Sequence, residues 1–209
     1  MTVQHNPAPA RSDVPTAYAE SRPGDRPYFR HGMLLSAGAA AWAMSMVILG
    51  GVGSADASAA EAVVLGLGGG LFQLGLLALI RVLYLSQALG TGRVARGFLK
   101  VEAGMVVLAI SSTFVDAIRI SDLDQTGWAL LDAFWPLSMM GMFGIAIRIA
   151  IAGRWRGVAR YWPLVAESWA LVVIPTMNIF GTTAAGVVAV VHLLVGYTVL
   201  GQIVARKRD

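Results

Sequence analysis

The sequence predicts an all-α protein: a polytopic membrane bundle of six transmembrane helices in three hairpins, with both termini on the inner side. Three observations predict it. The chain of 209 residues is 56% hydrophobic and only 13% charged, about half the usual globular share of charge. Its apolar residues gather into six stretches, 33–53, 61–84, 98–118, 128–148, 162–180 and 182–205. Each is close to the roughly 20 residues a helix needs to cross the hydrocarbon core of a bilayer. The third observation is where the cations fall. Arg11, Arg22, Arg26 and Arg30 precede the first stretch; Arg81, Arg93, Arg96 and Lys100 surround the second connection; Arg148, Arg154, Arg156 and Arg160 surround the fourth; Arg206, Lys207 and Arg208 close the chain. The other three connections hold Arg119 alone. Basic residues stay on the cytoplasmic side, which orients the bundle and suits a multi-pass protein of the cell (plasma) membrane.

Taken in order, residues 1–32 carry Pro7, Pro9, Pro15, Pro23 and Pro27 among Ala, Ser, Asp and Arg. That composition predicts a disordered cytoplasmic tail. The following run is longer than the 7–15 apolar residues of a signal peptide, so it reads as a retained first span. The transmembrane domain is expected over 33–205, followed by a basic end at 206–209. Short outer turns are expected at 54–60, 119–127 and Gly181, and longer basic inner connections at 85–97 and 149–161. In the second of these, Arg154-Trp155-Arg156 and Tyr161-Trp162 mix cations with aromatic rings, as segments at headgroup level do.

An ionisable side chain costs roughly 2.5–3.5 kcal/mol at the centre of a membrane helix, so each one needs a reason. In the third span Glu102, Met105, Ala109, Ser112 and Asp116 recur at helical spacing and share one face, with Arg119 continuing it. An acid near each end of a stripe of small and hydroxyl groups resembles the wall of an ion or proton path. The plain alternative is that both acids are hydrated near the interfaces, or paired with Lys100 and Arg119. In the fourth span Asp132 lies at a level similar to Asp116, and two carboxyls at one depth oppose each other's charge, which helps a site hold a proton. Pro136 cannot donate to the carbonyl of Asp132, so a bend is expected there. His192 is the deepest ionisable group, on a face with Thr182, Ala185, Ala189 and Gly196. It reads as a proton relay, a ligand contact or interhelical glue. Gln73, beside the Gly66–Gly70 small-residue face, is expected to hydrogen-bond across a helix pair packed on Gly38 and Ala41. Glu167, Leu171, Ile174 and Asn178 share a face of the fifth span, and Asn178 would line an outer vestibule or cap helix ends. Glu102 and Glu167 stand 65 residues apart, each followed by a similar apolar run, a faint sign of internal duplication.

Several chemistries find no support. The chain has no cysteine, which removes thiolate metal sites and cysteine nucleophiles. One histidine within the spans is too few for bis-histidine haem ligation. The glycine run lacks the strand–loop–helix setting and following Lys of a phosphate cradle. Serine-nucleophile and prenyl-transfer motifs are missing, and no nucleic-acid motif accompanies the basic residues. No cofactor and no catalytic residue is therefore assigned. The leading expectation is a small protein that binds or moves a solute or proton, or the membrane subunit of a transporter. The alternatives are a non-catalytic scaffold or signalling protein and a membrane-embedded lipid-modifying enzyme. Expected partners are the anionic inner leaflet, a small solute or proton, and a cytoplasmic protein at the basic inner loops. A reporter fused after Asp122 should report the outside and one fused after Arg208 the cytosol; the same side for both would overturn the orientation.

Overall fold

A computed structural model describes residues 26–51 and 58–208, and they are helical throughout their ordered elements. The elements are α1 (Phe29–Leu49), α2 (Ala59–Leu85), α3 (Arg93–Ala117), α4 (Thr126–Asp132), α5 (Phe134–Ala152), α6 (Val158–Glu167), α7 (Trp169–His192), a π-helical turn (Leu193–Thr198) and α8 (Val199–Arg206). Five segments are long and apolar enough to cross a membrane: Phe29–Leu49, Ala59–Leu85, Arg93–Ala117, Thr126–Ala152 and the 49-residue Val158–Arg206. The predicted tail, 1–32, lies mostly outside the described residues, but its last four residues belong to α1, which begins at Phe29. The outer turn predicted at 54–60 also lies largely outside them.

Local chemistry sets the helix ends. Gly50 takes a left-handed φ of 73° after α1, where a residue without Cβ is favoured. Ser58 accepts from the backbone of Glu61 while Glu61 Oε2 accepts from the Ser58 N–H at 2.6 Å, a capping box that starts α2. α4 stops at Asp132 and α5 resumes at Phe134. Pro136 has no N–H to offer the Asp132 carbonyl, and the helix breaks at that missing bond.

The last segment is not one straight rod. Within α7, Gly181 leaves helical geometry, with φ 84° and ψ 175°. Tyr197 Oη nonetheless donates to Glu167 Oε2 at 2.7 Å, thirty residues apart. An unbroken helix would separate them by about 45 Å. The chain therefore doubles back at Gly181, and α6 packs beside the π turn and α8. Glycine suits this corner because φ near +84° strains any side chain with a Cβ.

Glycines and serines also decide how closely the helices approach. A Cβ on Gly38 would overlap the backbone of Leu71 and Phe72, and one on Gly75 would press on Leu35. On the other side of α1, Gly32 and Ser36 meet Gly201 and Ala205, again at backbone contact. Ser36 Oγ donates to the Thr198 carbonyl at 2.8 Å, one of the acceptors a π turn presents with altered geometry. Thus α1 is clasped on two sides by small residues. Around it stack Trp42, Phe72, Trp135, Trp169 and Tyr197, with ring centroids 4.7–6.3 Å apart from neighbour to neighbour.

The expected face of α2 needs correcting. Gly66 meets Ala117 of α3 and Gly70 meets nothing, whereas Gly68 and Gly75 are the positions set against α1. The bulky Trp42 selects this register, because its backbone and ring need the space over Gly68 and Gly69. Replacing Gly38 by Val should destabilise the bundle by about 1–3 kcal/mol through overpacking. Gly70→Val, with open space around it, should leave stability nearly unchanged; thermal unfolding of the two variants in detergent compares them, and equal losses would refute the interface.

Candidate functional site

Two acidic groups from separate helices enter the bundle interior. Glu102 stands nine residues into α3 and Glu167 nine residues into α6, roughly 14 Å of helix rise from each start. The starts themselves, Arg93 and Val158, are 65 residues apart, like the two acids. Glu102 has no exposed surface and Glu167 has 2%. Both border the same stretch of α5, Glu102 at Gly141 and Glu167 at Met142 and Ile145. The Glu102 carboxylate rests against the backbone of Gly141 on α5, where a Cβ would overlap it, and beside the methyl of Met105. Neither of its oxygens has a hydrogen-bond donor, and Glu167 Oε1 has none either. Tyr197, itself 1% exposed, supplies the single donor to the pair, at Glu167 Oε2.

The expectation that Glu102 is hydrated or paired with Lys100 does not hold. Helix α3 begins at Arg93, not near residue 98, so Glu102 is carried one turn deeper. Lys100, two residues away, points outward and is exposed. Arg119 leaves the helix with φ 57° and is exposed, so it does not continue the stripe. The remainder of the stripe does face inward. Met105 and Asp116 are half-buried, Ala109 and Ser112 are buried.

At the opposite end of that face, Ser112 Oγ donates to Asp132 Oδ1 at 3.3 Å, and Asp116 is near enough for its charge to act on Asp132. About 15 Å of α3 rise separates Ser112 from Glu102. Trp169 follows Glu167 by two residues and Trp135 follows Asp132 by three, along helices running in opposite directions. The aromatic stack around Trp42 therefore lies between the two acidic levels. Gln73 reaches toward the outer of these levels: its Nε2 donates to Thr113 Oγ1, next to Ser112, at 2.7 Å and reaches the Ala109 carbonyl at 3.5 Å. It ties α2 to α3, not to α1 as expected, and its Oε1 is buried without a donor.

His192 and Asn178 fall elsewhere. His192 Nε2 lies 3.2 Å from Ser168 Oγ, and its Nδ1 is buried without a partner. Ser168 also donates to the Val165 carbonyl at 2.9 Å. With its one hydrogen placed there, His192 is the donor of the contact and the serine is not activated as a nucleophile. Asn178 is exposed and donates to the Ile174 carbonyl of its own helix. Leu171 and Ile174 are 44% and 41% exposed, so the face drawn through Glu167 and Asn178 turns away from the interior beyond Ser168. Trp169, Ala170 and Val173 take the inner side instead.

Sequence reasoning missed Tyr197, Ser168, Trp42 and Trp169. Tyr197 was findable: it is the one phenol in the last apolar stretch, five residues beyond His192. The pairing of Ser168 with His192 depends on the reversal at Gly181 and leaves no periodic signal. Among the described residues no group of three or more His, Asp or Glu is placed to hold a metal ion. Neither a protein-family model, a curated protein nor a solved structure matches the chain. The class rests on the fold itself: a helical bundle with segments long and apolar enough for a membrane. Tyr197→Phe should destabilise the bundle by about 1–3 kcal/mol, since it strips a buried carboxyl of its donor; chemical unfolding in detergent tests this, and a loss below about 0.5 kcal/mol would refute the bond's importance.

Proposed function

We propose that this is an integral membrane protein of six spans that binds and moves a proton or small solute through the bundle interior. Counting the two arms either side of Gly181 separately gives six spans of ordinary length. The basic end, with exposed Arg93, Arg96, Lys100, Arg154 and Arg156, faces the cytoplasm and the anionic inner leaflet of the plasma membrane. A cytoplasmic protein partner would dock on the same surface.

One observation carries the reading: Glu102 and Glu167 are buried in the bundle with three of their four oxygens lacking a donor. Purely structural acids in such a place are costly, because breaking or omitting a partner leaves an uncompensated charge worth several kcal/mol. Inward-facing acids in membrane helices mark pathways. Asp116, Asp132 and Ser112 supply the outer station, Glu102, Glu167 and Tyr197 the inner one. The aromatic stack between them is the barrier that a transport cycle must open. Two stations with a closed middle suit alternating access, and the matched offsets of α3 and α6 suit paired repeats that rock against each other.

Reconstituted into vesicles, the protein should show a proton- or solute-linked flux. Glu102→Gln and Glu167→Gln should each lower it by about tenfold or more, equivalent to 1.4 kcal/mol at the limiting step, while expression and thermal stability hold. Asp116→Asn and Asp132→Asn should lower it as well. Full flux in both glutamine variants would refute the assignment.

A further inference from the structure

We infer that the ligand held by Glu102 and Glu167 is a proton, not a metal ion or an organic cation. The inference rests on the transport reading only for its purpose; the site it describes stands on geometry. The pair offers Glu102 Oε1 and Oε2 and Glu167 Oε1 as vacant acceptors, with Glu167 Oε2 taken by Tyr197. Hard cations such as Ca²⁺ need about six to eight oxygens, and Mg²⁺ needs six in a near-ideal octahedron. Among the described residues no three His, Asp or Glu gather here to supply such a set. Space decides further. Glu102 is wedged against Gly141 and the Met105 methyl. The crevice beside Glu167, walled by Leu79, Leu83, Met142, Ile145 and Pro163, is too narrow to admit a water molecule. An alkylammonium group is larger than water, and a metal ion would have to arrive without its hydration shell. A proton needs no volume.

The groups that face the pair fit this role. The π turn contributes Tyr197, whose ring lies 6.4 Å from that of His192 at the end of α7. From α2 and α5 the crevice receives only aliphatic and thioether side chains. Arg81 of α2, Lys100 of α3 and Arg148 of α5 point outward and are exposed. Asp116 and Asp132 sit at the far level, beyond the aromatic stack. No lining residue of the crevice is a cation, and Arg160, two turns before Glu167 on α6, is engaged by the Ala150 carbonyl at 2.8 Å, so a bound proton is the available means of lowering the pair's charge.

The test uses infrared difference spectroscopy, which reads the C=O stretch of protonated carboxyl groups and needs no reagent to enter the crevice. Spectra of the full-length chain in liposomes are recorded across a range of about pH 6 to pH 9. The expected result is a protonated-carboxyl band, lost in Glu102→Gln or Glu167→Gln, whose intensity falls at least about tenfold as pH rises, with the same profile in sodium, potassium, calcium or choline buffers. Loss of the band on adding one of the metal cations at constant pH would overturn the inference in favour of a metal site. Absence of the band, or an intensity indifferent to pH, would overturn it as well. Flux measured on the same vesicles separates the two claims. A pH-dependent band without flux leaves the proton site standing and removes transport, whereas flux without the band does the reverse.

Discussion

The hydrogen bond between Tyr197 and Glu167 is the interaction on which the rest of this bundle depends. It joins two residues that are distant along a helical stretch, so it exists only because the chain reverses at Gly181. Without that corner, α6 would have no π turn to pack on, Trp162 Nε1 would not reach the Gly196 carbonyl at 3.0 Å, and Ser168 would not meet His192. The bond also sets the chemistry of the interior. It occupies one carboxylate oxygen and leaves its neighbours bare, in surroundings where bare oxygens are costly.

Packing and polarity divide the work between opposite sides of the same helices. α1 carries no acid toward the interior; it contributes Gly32, Ser36 and Gly38, whose small size lets α2 and α8 approach to backbone contact. That close approach brings Trp42 over Gly68 and Gly69 and assembles the aromatic stack. α3 does the reverse, presenting Glu102 and Ser112 inward while Val101, Val107, Leu108 and Phe114 cover its outer surface. A bundle with so much exposed Val, Leu, Ile and Phe on its outer face is expected where hydrocarbon, not water, is the surrounding medium.

How much of this was legible beforehand follows from which signals are local. The apolar stretches, the inward stripe of α3 and the break ahead of Pro136 depend on hydropathy, period and a missing N–H, and all three are read directly from residue order. Gly181 was legible as a turn, since it separates two runs of spanning length. Depth was harder. Glu102 looked peripheral because charges at Arg93, Arg96 and Lys100 suggested that the helix starts late, but long basic side chains extend outward and let the helix begin earlier. Gln73 was read toward the wrong neighbour because a run of glycines offers several faces, and only the bulk of Trp42 chooses among them. Asn178 shared a helical face with Glu167 on paper; the turn at Ser168 rotates the two apart.

The π turn at Leu193–Thr198 has a geometric consequence of its own. One extra residue within a turn advances everything after it by about 100° around the axis. Before the slip, the helix aims His192 at α6; after it, the same helix aims Gly201 and Ala205 at α1. A regular helix has a single stripe and can satisfy one neighbour well along its length. This one is wrung by a residue, and so it serves as the wedge that holds two unlike partners, one polar and one merely small, on the bearings each requires.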